Sequence, residues 1–182
     1  TKAAGAKVAP LIAAKPQEVV ICDSVSVNLF KLAASALLLT AARRIIIEED
    51  EFPTDQYIAR GLANVSGTPL RRVLAGQGME AISGGGVLIK SAVNYRTAEI
   101  ADMAAWENAA KDSGAIIVWD FSHATGAVPV DVAESGARLG AGCTYKYLSG
   151  GPGAPAFIYA REDISEALLS PVPGWLGHKT PF

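Results

Sequence analysis

The feature that most constrains the fold is a set of strand-length apolar runs that do not alternate. Ala115–Trp119 (AIIVW) is the clearest, continuously apolar and closing on the polar Asp120. A strand with one wet face alternates apolar and polar residues, whereas a strand covered on both faces does not. Glu18–Cys22, Arg44–Glu48 (RIIIE), Val87–Ser91, Arg138–Cys143 and Pro155–Ala160 read as further strands. Helix-like segments lie between them. One is Val25–Ala42, rich in Leu and Ala. A second opens at Pro53, with Asp55 and Gln56 near its positive end, and reaches Ala63. A third is capped by Thr97 and runs to Ser113, before Gly114. Gly84–Gly86 reads as a flexible stretch. This alternation predicts a three-layer α/β/α fold around a mostly parallel sheet. No repeat or low-complexity linker divides the 182 residues, which suffice for one sizeable core.

Composition narrows the function classes. A net charge of -2 gives no electrostatic reason to expect nucleic acid or an acidic membrane as partner. No apolar run reaches the roughly 18 residues of a transmembrane helix. The N-terminus lacks the layout of a signal peptide, so a reducing cytoplasmic setting is the expectation. Cys22 and Cys143 show neither metal-ligand spacing nor a disulfide framework, and His123 and His178 belong to no zinc motif.

In such folds, ligands bind beyond the carboxyl ends of the strands. The polar groups expected there are Asp23, Ser24 and Ser26, then Phe52–Asp55, Ser91 and Asn94, Asp120 and His123, and finally Tyr145 and Lys146. Most lysines are solvated surface groups. Lys146, just past an apolar strand and flanked by Tyr145 and Tyr147, sits instead at the edge of a partly dry site. Burial lowers a lysine's pKa and frees its amine for a Schiff base. A strand-end aspartate is often only a turn or helix cap. Near such a lysine, Asp120 is also the kind of carboxylate that keeps a pyridine nitrogen protonated. His123 is placed to stack on a ring or orient that aspartate. The strand-to-helix transitions at Val25-Ser26 and at Thr54 offer backbone N–H groups and a helix dipole to an anion. Gly150-Gly151-Pro152-Gly153 fits neither a Walker loop nor a dinucleotide fingerprint, and reads as a tight turn.

Five segments, in order, resemble the kynureninases, pyridoxal-phosphate enzymes of the fold-type-I (aspartate aminotransferase) superfamily. They are Phe52-Pro-Thr-Asp55, Val93-Asn-Tyr-Arg-Thr97, Trp119-Asp-Phe-Ser-His-Ala-Thr-Gly-Ala-Val-Pro-Val-Asp131, Gly142-Cys-Thr-Tyr-Lys-Tyr-Leu-Ser-Gly-Gly-Pro-Gly-Ala-Pro-Ala-Phe157 and Gly174-Trp-Leu-Gly-His178. The resemblance covers most of the chain from Asp23 onward. It implies that Lys146 holds pyridoxal 5'-phosphate covalently, Asp120 pairs with its ring nitrogen, His123 lies beside the ring and Phe52 stacks on it. Val25, Ser26, Pro53, Thr54, Asp55, Ser91 and Tyr145 fall where the family contacts the cofactor. Trp175 matches a further cofactor-site residue that serves the neighbouring subunit of a homodimer. The implied reaction is hydrolysis of the Cβ–Cγ bond of L-kynurenine or 3-hydroxykynurenine, with Tyr145 as proton donor, in tryptophan catabolism and NAD biosynthesis.

By the same resemblance, residues 1–182 form the cofactor-binding large domain without the family's N-terminal arm and C-terminal small domain. That small domain carries an asparagine of the cofactor site and the arginine that grips the substrate carboxylate. Ala98 stands where glycine is expected and Ser149 where asparagine is usual. Two alternatives remain open: a cysteine desulfurase-like lyase, and a cofactor-binding or interaction module without turnover. The lyases place histidine before the lysine, where this chain has Tyr145, and use a cysteine on a mobile loop.

Overall fold

The apolar runs become strands of one seven-stranded sheet in the computed structural model, which describes residues 2–174. The strands are β1 (Val19–Ile21), β2 (Ile45–Glu48), β3 (Leu70–Val73), β4 (Gly86–Ser91), β5 (Ala115–Asp120), β6 (Leu139–Gly142) and β7 (Phe157–Ala160). Their order across the sheet is β1-β7-β6-β5-β4-β2-β3. Pairing is parallel from β6 through β3, whereas β7 runs antiparallel to both β6 and β1. Six strands therefore point their carboxyl ends at one edge of the sheet. The helices are α1 (Lys2–Val8), α2 (Val25–Leu37), α3 (Pro53–Ser66), α4 (Gly78–Ala81), α5 (Met103–Ser113), α6 (Val132–Ser135) and α7 (Glu162–Ser165).

The unbroken apolar runs have the expected cause, because each strand serves two cores. Ile45 and Ile47, Val87 and Ile89, Ile116 and Val118 pack with Leu29, Leu32 and Leu37 of α2 and Leu62 of α3. Their neighbours Ile46, Leu88, Ile117 and Trp119 face the other way, toward Trp106 and Ala110 of α5 and Val8 of α1. Truncating any of these isoleucines or leucines to alanine is expected to cost about 2–5 kcal/mol.

Three helix boundaries depart from the sequence expectation, and one strand was missed. The third helix begins at Met103 rather than Thr97, because Asp102 Oδ1 accepts the Ala105 N–H at 3.0 Å and caps it. Residues 94–101 instead form a turn in which Asn94 Oδ1 accepts the Arg96 and Thr97 N–H groups. The second helix stops at Leu37 rather than Ala42, its last turn tightening through Leu38 N–H to Ser35 O at 3.1 Å and Leu39 N–H to Ala36 O at 2.9 Å. The one opening at Pro53 runs on to Ser66, where Gly67 takes a left-handed conformation (φ 64°) and ends it. Strand β3 escaped prediction because Arg71 and Arg72 interrupt its apolar pattern; it is an edge strand with both arginines exposed.

Candidate active site

The carboxyl edge of the sheet gathers most of the predicted residues into one cleft. Val25 and Ser26 come from the first turn of α2. Phe52, Thr54 and Asp55 come from the junction of β2 and α3, where Pro53 fills the first helical position. Asp120 ends β5 and Ser122 follows it, and Tyr145 and Lys146 follow β6. Ser91 pairs in register with Asp120 across β4 and β5. Gly126 brings the last two segments together. Its φ is 86°, and a Cβ there would sit 3.0 Å from the Tyr147 carbonyl oxygen, so the loop after β5 lies flat against the one carrying Lys146.

Each site carries its own support. Asp120 is 3% exposed, and its Oδ1 accepts the Ser122 N–H at 2.8 Å. Asp55, 1% exposed, lies beside Asp120. Burial first, then the charges of Asp120 and Glu51, hold the Asp55 carboxyl well above the usual aspartate range, against the opposing pull of Lys146. Lys146 is half-buried, with Nζ 2.8 Å from His123 Nε2 and 5.4 Å from the centre of the Phe52 ring. Burial and then the neighbouring Lys146 push the His123 pKa down, which favours a neutral imidazole accepting from the amine. Phe52 meets Tyr95 edge-on at 5.2 Å and His123 at 5.8 Å with a 53° tilt. Burial raises the Tyr145 pKa, reinforced by Cys143 and Asp120, so its hydroxyl stays a proton donor.

At the first turn of α2, Ser24 Oγ accepts the Val27 N–H and Ser24 O accepts the Asn28 N–H. The Val25 and Ser26 amides face the cleft from the positive end of a 13-residue helix. Asp55 Oδ2, Ser122 Oγ and His123 Nδ1 are buried without a partner among the described residues. A lone amine, a carboxyl pair, an aromatic face, a helix N-terminus and three unsatisfied polar atoms are the donor set a phosphorylated aldehyde cofactor requires.

Three of the predicted strand-end groups serve structure instead. Asp23 pairs with Lys31 at 2.6 Å, Ser24 caps α2, and Asn94 ties the turn after β4 to Asp50 at 2.8 Å. Trp175, with most of the Gly174–His178 segment, lies outside the described residues. Ser122, Tyr95 and the pairing of Asp55 with Asp120 were not anticipated. Ser122 and Tyr95 lie inside the matched segments, Ser122 between Asp120 and His123.

The chain is 45% identical over 182 residues to the kynureninase of Deinococcus radiodurans, an alignment covering 97% of this chain and 44% of that relative. Its sequence is similar to the kynureninases along nearly its whole length. The kynureninase of Pseudomonas fluorescens is 41% identical over 187 residues, covering 98% of this chain and 45% of the relative. The chain thus spans less than half the length of the curated kynureninases it matches. No family model matches it. A cysteine desulfurase from Thermococcus onnurineus NA1 superposes with a TM-score of 0.79 at 23% identity, over 95% of this chain and 46% of that one. An aspartate aminotransferase from Thermus thermophilus gives 0.68 at 16% identity, over 92% and 50%. These two likenesses establish the fold, an α/β arrangement around a mostly parallel sheet. As a possible desulfurase-type nucleophile the chain offers only Cys143, which is buried, and Cys22, which is half-buried against Asn28.

Proposed function

We propose that the whole protein is a pyridoxal-phosphate-dependent kynureninase, cleaving L-kynurenine or 3-hydroxykynurenine with water to anthranilate or 3-hydroxyanthranilate and L-alanine. One observation carries the reading: Lys146 opens into the same cleft as the Asp55–Asp120 pair, in a chain 45% identical to a kynureninase. When bound, pyridoxal phosphate supplies an electron sink, its protonated ring nitrogen drawing electron density from bonds at the amino-acid α-carbon.

The side chains then divide the work. Lys146 Nζ would hold the cofactor's aldehyde carbon, and as a free amine it would move the substrate's α-proton. Asp120 would pair with the ring nitrogen, with Asp55 beside it as the carboxyl whose pKa is raised. Phe52 offers an aromatic face, with His123 beside Lys146. The Val25 and Ser26 amides hold the phosphate, with Thr54 and Ser91 nearby. Hydrolysis adds water to the γ-carbonyl carbon, breaks Cβ–Cγ and leaves the electron pair on Cβ. Tyr145, kept protonated, delivers the proton to that carbon. In this reading the protein is a cytoplasmic homodimer of tryptophan catabolism, feeding NAD biosynthesis. Trp175 contributes to the neighbouring subunit's site.

The test is spectroscopic and chemical. Added pyridoxal phosphate is expected to give the visible band of a Schiff base, which borohydride traps on Lys146 and which Lys146→Ala lacks. Kynurenine is expected to release fluorescent anthranilate. Sulfide from cysteine without anthranilate would point to the desulfurase chemistry, and no band with excess cofactor would sink the reading.

A further inference from the structure

Behind the cleft lies a buried charge network that the proposed chemistry does not use. Lys90, on β4, extends Nζ to Glu48 Oε2 at 2.6 Å and Glu51 Oε1 at 2.8 Å. Both carboxylates are almost completely buried, and Lys90 Nζ also lies 5.2 Å from the centre of the Trp106 ring. Every carboxylate oxygen is engaged. Glu48 Oε1 accepts the Gly78 N–H at 2.8 Å, and Glu51 Oε2 accepts the Ser91 N–H at 3.0 Å. Gln56 Nε2, from the first turns of α3, donates to the Glu48 carbonyl oxygen.

Two consequences follow from this wiring. Glu51 immediately precedes Phe52–Asp55, and its carboxylate reaches Ser91, which pairs with Asp120. The network therefore fastens the turn bearing Phe52 and Asp55 to the strand pair bearing Asp120. It also sets two buried carboxyl groups against one ammonium beside the cleft, with burial raising the Glu51 pKa and Lys90 opposing. We propose that Glu51, anchored by Lys90, is a positioning residue of this site, fixing the Phe52–Asp55 turn against the strand pair that carries Asp120. Its charge also acts on Asp55 in the same sense as that of Asp120. The inference rests on the cofactor reading above for its purpose, but not for its geometry. The charged groups acting on Asp55 are Asp120, Glu51 and, in the opposite sense, Lys146. Of the two carboxylates, Glu51 is the one whose role is not to meet the cofactor.

Glu51→Gln is the informative variant. It retains an oxygen for the Ser91 N–H, and it leaves Lys90 paired with Glu48, so no buried charge is stranded. In the full-length protein carrying 13C-carboxyl aspartate, the Asp55 resonance is assigned by its loss in Asp55→Asn. Its titration midpoint is expected to fall by about one pH unit in Glu51→Gln. Glu51→Asp keeps the charge and shortens the reach. It is expected to retain a high midpoint while weakening pyridoxal phosphate binding about tenfold, read from the visible band. An Asp55 midpoint unmoved by Glu51→Gln overturns the proposal. So does cofactor affinity unchanged in Glu51→Asp, the deciding variant should Glu51→Gln not fold. If wild-type protein gives no visible band, the cofactor reading fails instead, and the Asp55 titration still decides the role of Glu51.

Discussion

Glu107 shows how one side chain reaches the site through the core. Its Oε1 accepts the indole N–H of Trp119 at 2.8 Å, and Trp119 is the residue before Asp120 on β5. Burial pushes the Glu107 carboxyl from 4.5 up to about 7, with the Trp119 bond and then Arg138 opposing. A raised carboxyl holds its proton better in the folded chain than in the unfolded one. Its contribution is therefore fully present below pH 4.5 and is lost as pH rises to about 7. The loss is at most about 3 kcal/mol. Glu107→Gln keeps an oxygen for the indole and cannot ionise. Its melting temperature is expected to show a flatter pH dependence across that window than the wild type, and to be the higher of the two at neutral pH. A variant that kept the full wild-type slope would assign the titration elsewhere. Glu107→Leu, which strands the indole N–H, is expected to be less stable than Glu107→Gln by about 1–3 kcal/mol at any pH.

At the scale of elements, the two positions at odds with the resemblance turn out to share a backbone state. Ala98 has φ 59° and Ser149 has φ 57°, both left-handed. This is where glycine and asparagine sit with least strain, which is the physical content of the residues expected there. Ala98→Gly and Ser149→Asn are each expected to stabilise by about 0.5–1 kcal/mol, raising the melting temperature by about 1–4 °C in additive fashion. Thermal denaturation of the single and double variants checks this, and a loss of stability in either refutes the strain argument for that turn. The same two turns mark where the sequence was legible and where it was not. The buried strands could be read because continuous apolar runs have few uses other than a sheet covered twice. Turns are decided by side chains bonding to backbone, and Thr97 and Asp102 both carry an oxygen able to cap α5. Only the fold shows that Asn94 already occupies the Thr97 N–H, leaving Asp102 to start the helix. In the cleft, Lys146, Asp120 and Phe52 were legible from their places after strands. The raised pKa of Asp55 was not, because it depends on burial and on Asp120 and Lys146 arriving from segments distant in sequence, with Glu51 close by.

For the molecule as a whole, the sheet topology separates holding a cofactor from turning over a substrate. Six strands end at one edge, and the end of β5, the loops after β2, β5 and β6, and the start of α2 supply the groups assigned above to ring and phosphate, except Ser91 at the end of β4 and Trp175. Among the described residues, the cleft lining contains one cation, Lys146, which the cofactor consumes. A kynurenine carboxylate needs a second, most effectively an arginine offering two parallel N–H bonds. The 182-residue chain expressed by itself is therefore expected to gain stability from pyridoxal phosphate while releasing little anthranilate. At a free cofactor concentration one hundred times its dissociation constant, linkage gives about 2.7 kcal/mol. For a chain of this size that is a rise in melting temperature of roughly 5–10 °C. Lys146→Ala is expected to lose most of the rise at the same cofactor concentration, since the covalent link contributes a large part of the affinity. A thermal shift without turnover fits a cleft that holds the cofactor but lacks a carboxylate grip. Efficient turnover by the isolated chain would show that a group already within it binds the substrate carboxylate, and Arg96, stacked 5.5 Å from the Tyr95 ring at the cleft's edge, would be the first to substitute.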